Sequence, residues 1–101
     1  MKEINKDAMF EAFGDYPWNG NRLSIYELAM EVLKRYYLFD EDERQNDWSG
    51  CLMRAMDDEL VWTTYKWTMV ETYCDPESTS YEGAWECFYD DLAKVVNATG
   101  L

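Results

Sequence analysis

The sequence predicts an all-α fold, a compact bundle of about four helices with an acidic surface, on three observations. Apolar residues recur at helical spacing in four segments. Helix start and stop residues bound most of those segments. The alternating runs joined by short turn dipeptides that mark β-hairpins are missing. At 101 residues the chain is expected to form one domain, residues 1–101.

The first predicted helix covers Ile4 to Phe13, with Ile4, Ala8, Met9, Ala12 and Phe13 on one face and Gly14 as its stop. Asp15 to Asn21 contains Pro17 and Asn19-Gly20 and reads as a loop. Ser24 and Glu27 then have capping-box spacing, and Leu23 and Leu28 stand where a hydrophobic staple needs them. Ile25, Leu28, Ala29, Val32, Leu33 and Tyr36 form the apolar stripe of this second helix, which fades near Phe39. Asp40 to Asp47 reads as an acidic connector.

A third helix is predicted from Trp48 to Tyr73, with Asp47 as N-cap and a break near Gly50. From Leu60 to Val70 it is apolar on nearly every side, the pattern of a central helix surrounded by others. Its β-branched residues would also suit a strand. Asp75-Pro76 ends it. The fourth helix starts near Ser80, with Thr79 and Glu82 as a second capping box. Tyr81, Ala84, Trp85, Phe88, Leu92, Val95 and Val96 trace its apolar stripe, and Gly100 closes it.

Leu, Ile, Val and Phe number only 19, which with a net charge of -12 is the usual compositional warning for disorder. Trp, Tyr and Met add another 19, and each buried aromatic removes about 150–250 Å² from water. A core can therefore be built from few, large side chains.

Charge and residue types exclude several functions. Twenty-one acids against 9 bases leave no cationic footprint for binding nucleic acid directly. With no histidine, imidazole chemistry is impossible, and a cysteine nucleophile lacks its usual partner. No phosphate loop, dinucleotide fingerprint, nucleophile elbow or zinc-protease motif occurs, and no enzymatic activity is expected. No cofactor is expected either. Asp40-Glu41-Asp42-Glu43 fails as a calcium loop, because its sixth position is Gln45 and its twelfth is Cys51, so no metal is expected. Cys51, Cys74 and Cys87 form no CxxC and are expected to be reduced and mostly buried. The start, MKEINKDAMF, lacks the apolar stretch of a signal peptide, and no window approaches a membrane span. A cytoplasmic protein with no membrane partner is expected, in the host bacterial cytoplasm if it is phage-encoded.

The informative feature is the spacing of the acids. Glu82, Glu86 and Asp90 recur every fourth residue, with Asp91 beside them, and Glu3, Asp7 and Glu11 do the same. Helical i, i+4 neighbours lie about 6 Å apart along the axis, so such a row can stand in for a row of phosphates. Like charges at this spacing destabilise a helix by about 0.2–0.5 kcal/mol per pair, and a bundle would more simply alternate Glu with Lys. Glu31 and Arg35 do that, but from Trp67 to Ala93 there are seven acids and no base.

This pattern predicts an inhibitor that mimics nucleic acid and blocks the basic DNA- or RNA-binding groove of its target. The predicted contact surface is Glu82, Glu86, Asp90 and Asp91, extended by Asp40, Glu41, Asp42, Glu43, Asp57, Asp58 and Glu59. The partner would be a basic nucleic-acid-binding protein or nuclease. In size, charge and acid spacing the chain resembles the small acidic inhibitors that bacteriophages deploy against restriction enzymes and CRISPR effectors; no motif carries this resemblance. Two alternatives stand beside it. One is an immunity or antitoxin protein that neutralises a basic nuclease. Colicin immunity proteins are similar in size, acidity and helical content, but their Tyr-Tyr-Pro segment is absent, since Leu38 follows Tyr36-Tyr37. The other is an oligomerising scaffold, a homodimer being one form, with Trp18 as the candidate exposed anchor.

Overall fold

The computed structural model describes residues 3–14, 22–73 and 81–100, with the backbone alone at 22–24 and 81. Asp58 shows how its elements are delimited. Its carboxylate accepts hydrogen bonds from the backbone N–H groups of Leu60 (3.0 Å) and Val61 (3.2 Å), which starts a new helix in the middle of the long apolar segment. The described residues therefore form six helices, not about four: α1 (Lys6–Phe13), α2 (Arg22–Tyr36), α3 (Glu41–Asn46), α4 (Trp48–Met56), α5 (Glu59–Thr72) and α6 (Tyr81–Thr99). No strand occurs among these residues.

The expected third helix is thus two, α4 and α5, parted at Asp57-Asp58 and not at Gly50. Asp47 caps α4 as predicted, accepting from the N–H of Gly50 at 3.1 Å. The same carboxylate fills the space a Cβ on Gly50 would need, so Gly50 serves the cap and does not interrupt the helix. The stretch expected as a connector contains α3. Three acids in its first turn, Glu41, Asp42 and Glu43, suit the positive end of the helix dipole. Its anchor is a cation: Arg44 is buried, donates to the carbonyl of Phe39 (3.1 Å) and lies over the rings of Tyr37 (5.1 Å) and Tyr36 (5.8 Å).

α1 starts after the N-cap Asn5, whose side chain accepts from the N–H of Ala8 (3.0 Å). α2 reaches back to Arg22, which places Ser24 inside the helix and not at its cap. At its other end the chain tightens into i→i+3 bonds, Leu38 to Arg35 and Phe39 to Tyr36, each 3.2 Å. Gly100 closes α6 with φ 93°, a left-handed conformation that favours glycine. The predicted features at Asp15 to Asn21 (Trp18 included), Cys74 to Ser80 and Thr79 fall outside the described residues.

The predicted stripes build the core. Ile25, Leu28, Ala29, Val32, Leu33 and Tyr36 of α2 are all buried, as are Ala84, Phe88, Leu92, Val95 and Val96 of α6. Leu52 and Met56 of α4 join them, and the rings of Phe13 and Phe88 lie 5.8 Å apart. α2 packs against α1, α4 and α5, and α6 packs against the same three helices. The radius of gyration is 13.1 Å, close to the ~13 Å of a compact chain of this length.

α5 is not enclosed as its composition suggests. Only Val61, Met69 and Thr72 are buried along it, while Leu60 is 66 % exposed and Trp67 is 70 % exposed. It has helical neighbours in α2 and α6, and they leave one of its faces uncovered. The thiols divide as well: Cys51 is buried and Cys87 is exposed, both free.

Candidate functional site

The acid row of α6 takes its orientation from the helix itself. At about 100° per residue, the buried stripe through Ala84, Phe88, Leu92 and Val95 fixes the inward side. Glu82, Glu86 and Asp90 then fall on the opposite side, and all three are exposed. Their Cα positions span about 12 Å of the axis in two steps. No ion pair involves any of them among the described residues. Beside the row, Trp85 and Tyr89 are half-buried and stacked, with centroids 5.9 Å apart and planes 8° from parallel.

Asp91 does not share this face. It is only 7 % exposed, accepts a hydrogen bond from the Tyr73 hydroxyl at 2.6 Å and lies 3.4 Å from the Lys94 ammonium. It ties the end of α5 to α6, so its charge is spent inside the fold. One position separates it from Asp90, and one helical step of about 100° turns it from solvent to core.

The other predicted acids divide in the same way. Asp40, Glu41, Asp42 and Glu43 are exposed on and before α3, with Glu41 accepting from Gln45 (3.3 Å) and Glu43 lying 3.8 Å from Arg54. Asp57 and Glu59 are exposed. Asp58 is committed to its cap and to Arg35, 3.3 Å away. The N–H of Val61 holds the Asp58 carboxyl below the usual carboxylate range, and Arg35 adds to that effect. Arg35 also meets Glu31 at 2.9 Å, which with Asp58 raises its already high pKa.

The second predicted row is shorter than its spacing suggests. Asp7 and Glu11 are exposed on α1, but Glu3 precedes the cap and is not helical. α1 runs antiparallel to α6. At one end the Asn5 N–H donates to the Thr99 hydroxyl (3.2 Å), and at the other Phe13 meets Phe88. The two helices that carry acid rows are therefore direct neighbours.

Sequence reasoning missed the exposed pair Leu60 and Trp67. Their seven-residue spacing was the available signal, hidden by the apolar character of the whole segment. Among the described residues, no three Cys, Asp or Glu side chains gather as a metal site, and no helix is long and apolar enough to cross a membrane. Comparison with protein-family models, curated proteins and solved structures yields no match.

Proposed function

We propose that this protein is an acidic inhibitor that occupies the basic nucleic-acid-binding groove of another protein, in the manner of phage anti-restriction or anti-CRISPR proteins. The observation that carries the reading is the row Glu82, Glu86 and Asp90: exposed, without ion-pair partners among the described residues, and held on the outer face of the 19-residue helix α6. A cation-lined groove meets there a rigid series of anions about 6 Å apart along the axis, a spacing suited to arginine and lysine side chains that otherwise bind phosphates. Asp7 and Glu11 on the adjoining α1 and the acids at 40–43, 57 and 59 add to the field. Asp91 and Asp58 are left out of the contact surface because their carboxylates serve the fold.

A net charge of -12 draws a basic partner from a distance and accelerates encounter. Binding then weakens steeply as salt rises. The protein acts in the cytoplasm on a basic nucleic-acid-binding protein or nuclease, with no catalysis, no cofactor and no direct contact with nucleic acid. The test is charge reversal of the row, Glu82→Lys, Glu86→Lys and Asp90→Lys together. Helical content should survive, because all three side chains point to solvent, and binding to the target should be lost. Unchanged binding would remove this surface from the account.

A further inference from the structure

On α6 the acids of the row repeat together with an aromatic residue. Glu82-Gly83-Ala84-Trp85 is followed at once by Glu86-Cys87-Phe88-Tyr89, so each of two carboxylates stands three residues before a ring. Residues at i and i+3 are neighbours on a helix surface, with Cβ atoms about 5–6 Å apart. Both rings are half-buried, so each keeps part of its surface in solvent, and their planes are 8° from parallel. Tyr89 is fixed at its tip by the 2.5 Å hydrogen bond between its hydroxyl and that of Ser49, at the start of α4. The stack is therefore held from a second helix, in place before any partner arrives.

Elsewhere the chain sets its own cations over its rings: Arg44 over Tyr36 and Tyr37, Arg54 over Phe39, and Lys66 over Trp67. Among the described residues, none lies over Trp85 or Tyr89, and none pairs with Glu82 or Glu86. Two carboxylate-and-ring units thus stand side by side on the outer part of α6 with no cation from this chain.

We infer that these two units, Glu82 with Trp85 and Glu86 with Tyr89, are seats for arginine side chains of the partner's groove. The inference rests on the nucleic-acid-mimic reading of the α6 row and names the cations that row selects. A guanidinium is planar, so it can lie against a ring while its N–H fork donates to the carboxylate one turn before. Carboxylate and ring together offer what a nucleotide offers such a group, an anion and a π face. A lysine ammonium is a compact, strongly hydrated charge that pairs with the carboxylate and gains less from the ring. Asp90 has Ala93 three residues on and so offers only its charge, to either cation.

The test uses the intact chain and two peptide probes of equal length, oligo-arginine and oligo-lysine, titrated by calorimetry at one salt concentration. The expected preference for oligo-arginine is about tenfold, the effect of two cation–π contacts at exposed sites. Trp85→Leu should reduce it to about threefold and leave the affinity for oligo-lysine unchanged, whereas Trp85→Tyr should keep most of it. The indole N–H resonance of Trp85 gives a reading without substitution: it should shift with oligo-arginine and move little with oligo-lysine. Equal affinity for the two peptides, a preference that Trp85→Leu leaves whole, or an unmoved Trp85 resonance overturns the inference. If arginine is not preferred but Glu82→Lys, Glu86→Lys and Asp90→Lys together weaken both peptides, the acid-row reading stands without it. Charge reversal that leaves both affinities unchanged removes both.

Discussion

Neutralising Glu86 should stabilise the protein while weakening its binding to the target. Glu86 stands four residues from Glu82 and four from Asp90, about 6 Å along the axis from each. Two unit charges at that distance in water repel by ~0.7 kcal/mol, and a Debye length of ~8 Å at physiological salt lowers this to ~0.3 kcal/mol. The value falls inside the range measured for like charges at i, i+4. Glu86→Gln removes both repulsions at no loss of helix propensity, for a gain of about 0.4–1 kcal/mol. In a domain of this size that is a rise in melting temperature of ~2–8 °C. Glu86→Lys turns both pairs attractive and should gain about twice as much. Thermal melts followed by circular dichroism at low salt and at ~1 M salt, where the Debye length is ~3 Å, measure the effect and its screening. A lower melting temperature for Glu86→Gln at low salt, or none of the expected rise, would refute the reasoning. It would mean that Glu86 has a cation partner or does not face solvent.

Further predictions concern groups that hold the fold. Asp91→Ala should cost about 1.5–3 kcal/mol in chemical denaturation, the value of a charge-assisted bond to Tyr73 in a largely buried place, and should leave target binding unchanged. Arg44→Met should cost a similar ~1.5–3 kcal/mol and raise hydrogen exchange across α3, whose buried anchor it is; unchanged protection there would contradict that role. The Tyr36 hydroxyl is buried with no hydrogen-bond partner among the described residues, so Tyr36→Phe should leave stability unchanged or raise it by up to ~1 kcal/mol. Burial, with Tyr37 adding to it, pushes the Tyr36 phenol up from 10.0 to about 12. The stability this contributes is complete below pH 10.0 and is lost as pH rises towards 12, so Tyr36 should ionise later than the less buried tyrosines. Phenolate absorbance from all eight tyrosines near pH 10 with the helices intact would exclude this. Asp58 has the opposite sign. Its contribution is present above the ordinary carboxylate range and fades as pH falls through its lowered value, so Asp58→Asn should flatten the acid limb of the stability curve.

Stripe periodicity made α2 and α6 legible, because one face of each is buried against other helices. α3 was not legible by that signal: it buries a single residue, Arg44, and its acids are as natural in a solvated loop as in a helix's first turn. The division of the third helix hid in Asp57-Asp58-Glu59, where an acidic run can be a solvated face or a cap, and the cap depends on where the following N–H groups point. Composition also overstated the burial of α5. Trp62, Tyr65 and Val70 are half-buried, and enclosing the remaining side needs a neighbour that α2 and α6 do not supply.

For the site, i, i+4 spacing sufficed to put Glu82, Glu86 and Asp90 on one side of α6, because a single long helix carries all three. It did not suffice for Glu3, which lies before the cap, or for Asp91, whose Tyr73 partner is eighteen residues away in sequence. Whether a carboxylate is free or engaged is decided by tertiary neighbours, as Arg35 does for Asp58.

The most direct test of the account is affinity capture from bacterial lysate with the intact protein, in parallel with the Glu82→Gln, Glu86→Gln, Asp90→Asn variant, and with duplex DNA added as competitor. If the α6 row mimics nucleic acid, a basic nucleic-acid-binding protein is retained at low salt, released by DNA or by raised salt, and absent from the variant. A retained protein that DNA does not displace, or that the neutralised variant holds equally well, would contradict it.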